Sequence, residues 1–130
     1  MLIHRAAMAL RIAAGLFFLG AVALMIRPDL VASSMGVSAL ALSPELRWAL
    51  RSMGVILLIP SVLAPLVAAF AGERGLRQAC AAMAFISAGI AAFTLFSPGK
   101  VSSGKISMTL ACLAMSLIFF IALRGRRRNR

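Results

Sequence analysis

The stretch from Ser52 to Ala71, SMGVILLIPSVLAPLVAAFA, is twenty residues without a charge, about the length an α-helix needs to cross the hydrocarbon core of a bilayer. It contains Pro60 and Pro65. Each proline removes a backbone donor and crowds the carbonyl one turn back, so a kink within the membrane is expected, and the carbonyls of Ile56 and Ser61 need other partners. Just ahead of this run, Ser43 suits a helix N-cap, Pro44 the first helical position and Glu45 the positive end of the helix dipole. The helix is therefore predicted to start near Pro44. From Pro44 to Ala71 it would measure about 42 Å, more than the roughly 30 Å of a hydrocarbon core, so its first two turns stand among the headgroups. Trp48 fits that depth as an interface anchor.

Working outward, the rest of the chain has the same character. Of its 130 residues, 62% are hydrophobic and 13% charged, with a mean hydropathy of +1.01, which is far from an ordinary soluble domain. Toward the N-terminus, Arg5 and Arg11 precede the apolar run Ile12 to Ile26. Because that run is short for a span, it borrows Ala6 to Leu10 and leaves Arg11 snorkelling to the headgroups. A signal peptide with Ala21-Val22-Ala23 as its cleavage site is the rival reading. The apolar run continues past that site as Leu24-Met25-Ile26, which favours a retained helix. Arg27-Pro28-Asp29 ends it, and Pro28 and Gly36 suit the start and stop of a short interfacial helix between them.

Toward the C-terminus, Gly72 to Arg77 reads as a tight charged connector, and a third span follows from Gln78 to Phe96 or Ser97. Its Cys80, Ala84, Ala88 and Ala92, at every fourth position, form a stripe of small side chains that invites close helix packing, which makes this the expected central element of the bundle. Ser97-Pro98-Gly99-Lys100 stops it, and Ile106 to Leu123 makes a fourth span. Pro28-x-x-Val31-x-Ser33 and Pro98-x-x-Val101-x-Ser103 match at an offset of 70 residues, a faint sign of a two-helix duplication. The reading is thus an all-α, polytopic, four-transmembrane-helix bundle, one domain over 1–130, with spans near 6–26, 47–71, 78–97 and 106–123 and a basic tail at 124–130.

The formal net charge of +11 arises from 14 Lys and Arg against 3 Asp and Glu. Five of these charges, Arg124, Arg126, Arg127, Arg128 and Arg130, lie directly after the last apolar run. No aromatic residue is interleaved to stack on bases, so the tail reads as an anchor on anionic lipid and not as a nucleic-acid site. Placing both termini in the cytoplasm puts nine basic residues inside (Arg5, Arg11, Arg74, Arg77 and the tail) and five outside (Arg27, Arg47, Arg51, Lys100 and Lys105). The positive-inside rule favours that orientation.

The spans are poor in chemistry. The only histidine, His4, precedes the first span, no Asp or Glu falls within a span, and no nucleophile has a base beside it. Haem, metal, proton-relay and covalent catalysis therefore find no residues to carry them, and no cofactor is expected. Ser61, Ser87, Thr109 and Ser116 are expected to bond backbone carbonyls one turn back. Cys80 and Cys112 lie at different depths, too far apart for a disulfide. The one constellation that stands out is Arg47 and Arg51 with Arg27, Trp48, Glu45 and Asp29 at the same outer level. Like charges one turn apart repel unless an anion lies between them; lipid phosphate, Asp29 or an anionic ligand would fill that role.

Arg11-x-x-x-Gly15, Pro28-x-Leu30, Glu45-Leu46-Arg47 and the following Gly54 resemble an uncharacterised family of small bacterial four-helix membrane proteins, loosely DoxX-like in architecture, over roughly Arg11 to Gly99. The resemblance implies a four-helix bundle in a bacterial inner membrane and carries over no catalytic residues. The resulting expectation is a non-enzymatic accessory or scaffold subunit that packs with itself or with a larger membrane partner. The alternative is a small oligomeric transporter or channel for a neutral or anionic solute, and a third reading is a membrane enzyme or lipid-modifying subunit that holds phosphate with the outer arginines.

Overall fold

The computed structural model describes residues 2–96 and 100–124. Among these the chain is all-helical: α1 (Leu2–Ile26), α2 (Pro28–Ser34), a 3₁₀ turn (Ala39–Ala41), α3 (Pro44–Phe70), α4 (Glu73–Phe96) and α5 (Ser103–Arg124). Four of them, α1, α3, α4 and α5, are long and apolar enough to cross a membrane, so the chain is a multi-pass membrane protein in its architecture. The large side chains point outward. Phe70, Phe85 and Phe93 are each more than 80% exposed, while the core is mostly alanine. That inversion of a soluble protein suits lipid as solvent, where small residues let helix backbones approach and bulky apolar ones face acyl chains.

Helix α1 pairs with α3 and α4 pairs with α5. The two pairs meet where α1 leans on α4 and α5; α3 touches α4 only lightly and, among the described residues, does not touch α5. The central element is therefore α1 and not the third span. Its Ala6, Ala9, Leu10, Ala13 and Ala14 join Ala64, Leu76, Cys80, Ala84 and Phe119 in one core, which occupies the end of the bundle where α1 and α4 begin and α5 finishes. At the other end, α1 and α3 come close at Gly54, where a Cβ would lie 2.9 Å from Met25 Cγ and 3.0 Å from the Ala21 carbonyl oxygen.

The expected stripe on α4 holds for only half its length. Cys80 and Ala84 are buried, but the buried face continues through Ser87 and Ala91, leaving Ala88 and Ala92 exposed. The reason is the helical period. At 3.6 residues per turn, steps of four drift by about 40° each, whereas 80, 84, 87 and 91 keep to one side.

Several boundaries also move. The connector between α3 and α4 shrinks to Ala71-Gly72, and α4 starts at Glu73 with the Leu76 N–H donating to the Gly72 carbonyl at 3.0 Å. Burial of Leu76 to 1% exposure outweighs the helix-breaking tendency of Gly75. Likewise α1 begins before Ala6, and α5 begins at Ser103, where the Ser102 hydroxyl accepts the Lys105 N–H at 3.3 Å; hydropathy alone passes over such polar first turns. Helix α3 is continuous through Pro60 and Pro65. The Ser61 hydroxyl donates to Leu58 O at 2.7 Å, not to either carbonyl that the prolines free.

Two hydroxyls follow the local pattern: Ser61, and Thr109, which donates to Lys105 O at 2.8 Å. Ser116 does not. It reaches across to the Ala84 carbonyl on α4, at 3.0 Å, which fixes the α4–α5 register. In that register Cys112 falls opposite Ala88, two turns from Cys80 and about 12 Å away along the helix, and both thiols are free. Of the matched Pro28 and Pro98 segments, Ser33 and Ser103 are both helical, whereas the two valines differ. Val31 and Ser33 are inside α2, Val101 is outside any helix, and Pro98, like the Ser97-Pro98-Gly99 stop, lies outside the described residues.

Candidate functional site

The ion pair and the arginine constellation singled out in the sequence lie at the end of the bundle where α1 finishes and α3 begins. Arg27 leaves the helical region of φ/ψ, and Pro28 restarts the chain as the first residue of α2, its fixed φ and missing N–H costing nothing there. The turn closes at Gly36, whose φ of 85° is open to glycine at little cost and lets the Val37 N–H fold back to Ala32 O at 3.0 Å. The chain then reaches Ser43, whose hydroxyl accepts the Leu46 N–H at 3.2 Å and so caps α3. The short helix after Arg27 and the Ser43-Pro44 start both lie where the residues direct them.

This path brings Asp29 of α2 to the first turns of α3. Arg47 Nε lies 3.0 Å from Asp29 Oδ1, with both side chains about half exposed. An exposed pair of this kind contributes at most about 1 kcal/mol, so its role is to orient the guanidinium more than to hold the fold. Arg51 stands one turn further along α3, and Arg27, Arg51 and Trp48 are all exposed. Of the anions weighed for the arginine pair, the structure supplies Asp29, and it supplies it to Arg47.

A second feature was not legible in the sequence. The Ser102 hydroxyl donates to the Ser34 carbonyl at 2.7 Å, and Gly104 packs so closely on Ser34 that a Cβ there would fall onto its carbonyl. The end of α2 is thereby tied to the start of α5, and Pro28 and Ala32 are buried beneath it. Ser34 and Ser102 are 68 residues apart, and neither carries a local signal for the other.

Elsewhere, Pro60 lines an apolar groove of about 270 Å³ between α1, α3 and α4, with Leu10, Leu63, Val67, Ala79 and Met83 around it. At the opposite end, the Arg124 guanidinium sits over the Phe120 ring at 5.1 Å, an aromatic support for the first residue of the basic tail; Arg126, Arg127, Arg128 and Arg130 lie outside the described residues. Among the described residues, no three His, Cys, Asp or Glu side chains come together as a metal set. Comparison of the chain with protein-family models, with curated proteins and with solved structures finds no match.

Proposed function

We propose that this chain is a non-enzymatic accessory or scaffold subunit of a bacterial inner membrane, with both termini cytoplasmic, that works by packing laterally against a second copy or a larger membrane partner. The observation that carries this reading is the double face of α4. One face, through Cys80, Ala84, Ser87 and Ala91, is used inside the bundle. The other presents Ala88, Gly89 and Ala92 outward between the exposed rings of Phe85, Phe93 and Phe96, with open space around Gly89. Small residues flanked by large ones form the kind of surface on which membrane helices associate, since lipid gives no hydrophobic drive and close van der Waals contact must supply the energy. The similarity to DoxX-like four-helix proteins supports the bacterial setting, and the basic tail supports contact with anionic lipid.

The test is the mass of the protein purified in mild detergent. The wild type is expected in a complex larger than its 13.7 kDa monomer, and Ala88→Leu with Ala92→Leu is expected to release the monomer with helix content unchanged. A wild type that runs as a partner-free monomer overturns the reading.

The groove beside Pro60 favours a second reading, a small oligomeric transporter. Its lining suits a neutral, apolar solute. Uptake into proteoliposomes that is blocked by Leu63→Trp would select it.

A further inference from the structure

The Asp29–Arg47 pair accounts for one of three guanidiniums at the outer end of the bundle and leaves two. The chain has only three carboxylate side chains, Asp29, Glu45 and Glu73, and Glu73 belongs to the opposite end, in the first turn of α4. Arg27 and Arg51 are both exposed. Their level follows from two contacts: Gly54 lies against Ala21, Leu24 and Met25, and Arg47 meets Asp29. Between those contacts the antiparallel register brings Arg51 level with Ile26 and Arg27. Arg27, Arg47 and Arg51 thus stand at one level of the bundle, and Trp48 is exposed at the same level.

The framework under them is tied to the bundle. Asp29 sits on a helix whose Pro28 and Ala32 are buried and whose last carbonyl is held by Ser102. Through Asp29, the Arg47 guanidinium is oriented toward α2. A guanidinium carries five N–H donors, so Arg47 can engage Asp29 through Nε and still offer donors to another acceptor.

We propose that Arg27, Arg47 and Arg51 bind a phosphate group, carried by an anionic lipid in the leaflet at that end. At this end Arg27, Arg47, Arg51, Lys100 and Lys105 stand against the two carboxylates Asp29 and Glu45, and the net positive charge favours a phosphodiester whose headgroup carries no cation of its own. Arginine forks fit phosphate oxygens two at a time. A shared anion also relieves the repulsion between Arg47 and Arg51, one turn apart on α3. This inference is independent of lateral packing through α4, which lies on other residues.

The experiment uses the full chain in mild detergent, with Arg126, Arg127, Arg128 and Arg130 changed to Gln so that the tail adds no lipid of its own. Native mass spectrometry follows binding of dioleoyl phosphatidylglycerol against dioleoyl phosphatidylcholine. A preference of roughly tenfold for phosphatidylglycerol is expected, corresponding to about 1.4 kcal/mol. Arg27→Gln with Arg51→Gln should bring the ratio near one, while Arg74→Gln with Arg77→Gln, which removes the same charge at the other end, should leave it unchanged. Circular dichroism checks that each variant remains helical. Excess sodium phosphate separates the sources: lipid that stays bound assigns the site to lipid-borne phosphate, and lipid that is displaced assigns it to soluble phosphate. A preference that survives Arg27→Gln with Arg51→Gln, or that falls equally in both pairs of variants, overturns the proposal.

Discussion

Gly54 and Gly89 both sit in long apolar helices, yet adding one methyl group to each should have opposite consequences. At Gly54 the new Cβ would press on Met25, on Leu24 and on the Ala21 carbonyl at 2.9 to 3.1 Å. The methionine can turn aside, but the backbone oxygen cannot. Gly54→Ala should therefore force α1 and α3 apart and destabilise the bundle by about 1–3 kcal/mol, the usual cost of overpacking. At Gly89 nothing lies within 4 Å. Gly89→Ala should leave stability unchanged or raise it by up to about 1 kcal/mol through helix propensity. Thermal unfolding in detergent, followed by circular dichroism, compares the two directly, and equal midpoints would remove Gly54 as a contact point. Hydropathy gives both residues the same value. Only the placement of α1 separates them, and that placement depends on alanines such as Ala6, Ala9 and Ala13 that look no different, in a sequence, from alanines facing lipid.

At the scale of elements, the hydrogen bond that ties α2 to α5 comes from a single serine. Ser102 both caps the first turn of α5 and holds the Ser34 carbonyl. Ser102→Ala removes both bonds, at about 0.5–2 kcal/mol for the cap and about 0.5–1.5 kcal/mol for the hydrogen bond. The loss should be local. Hydrogen exchange at the Lys105 and Ile106 amides should speed up while α1 and α3 keep their protection; unchanged exchange at those two amides would show that α5 starts without this serine. What could be read beforehand differs from element to element for the same physical reason. Ser43-Pro44-Glu45 announces a helix start because cap, ring and charge act on the backbone within one turn. Ser102 caps locally too, but it is surrounded by Ser103, Gly104 and Lys105 and adjoins no apolar run that would mark a helix beginning there. Its second role depends on a residue from the far side of the chain. The α4 stripe was half legible because spacing by four follows the helical period for about one turn and then drifts off it.

For the whole molecule, orientation is set by charges at the two ends, and the described helices sort those charges cleanly. Arg5, Arg11, Arg74, Arg77 and Arg124 lie at the end where α1 and α4 start and α5 stops; Arg27, Arg47, Arg51, Lys100 and Lys105 lie at the other. These ten side chains are evenly divided, so the four tail residues Arg126, Arg127, Arg128 and Arg130 decide the balance under the positive-inside rule. Changing all five arginines from Arg124 to Arg130 to Gln would leave four basic residues at the tail end against five at the other, and the bias for a cytoplasmic C-terminus should disappear. A single cysteine at Lys100 or at Arg74, introduced after Cys80 and Cys112 are changed to Ala, reports the side reached by a membrane-impermeant maleimide in intact cells. In the parent chain, position 100 should label and position 74 should label only after permeabilisation; with the five arginines removed, both should label in part. If position 74 stays protected without the tail, the orientation is fixed by the first span as it inserts, and the tail serves only to hold lipid.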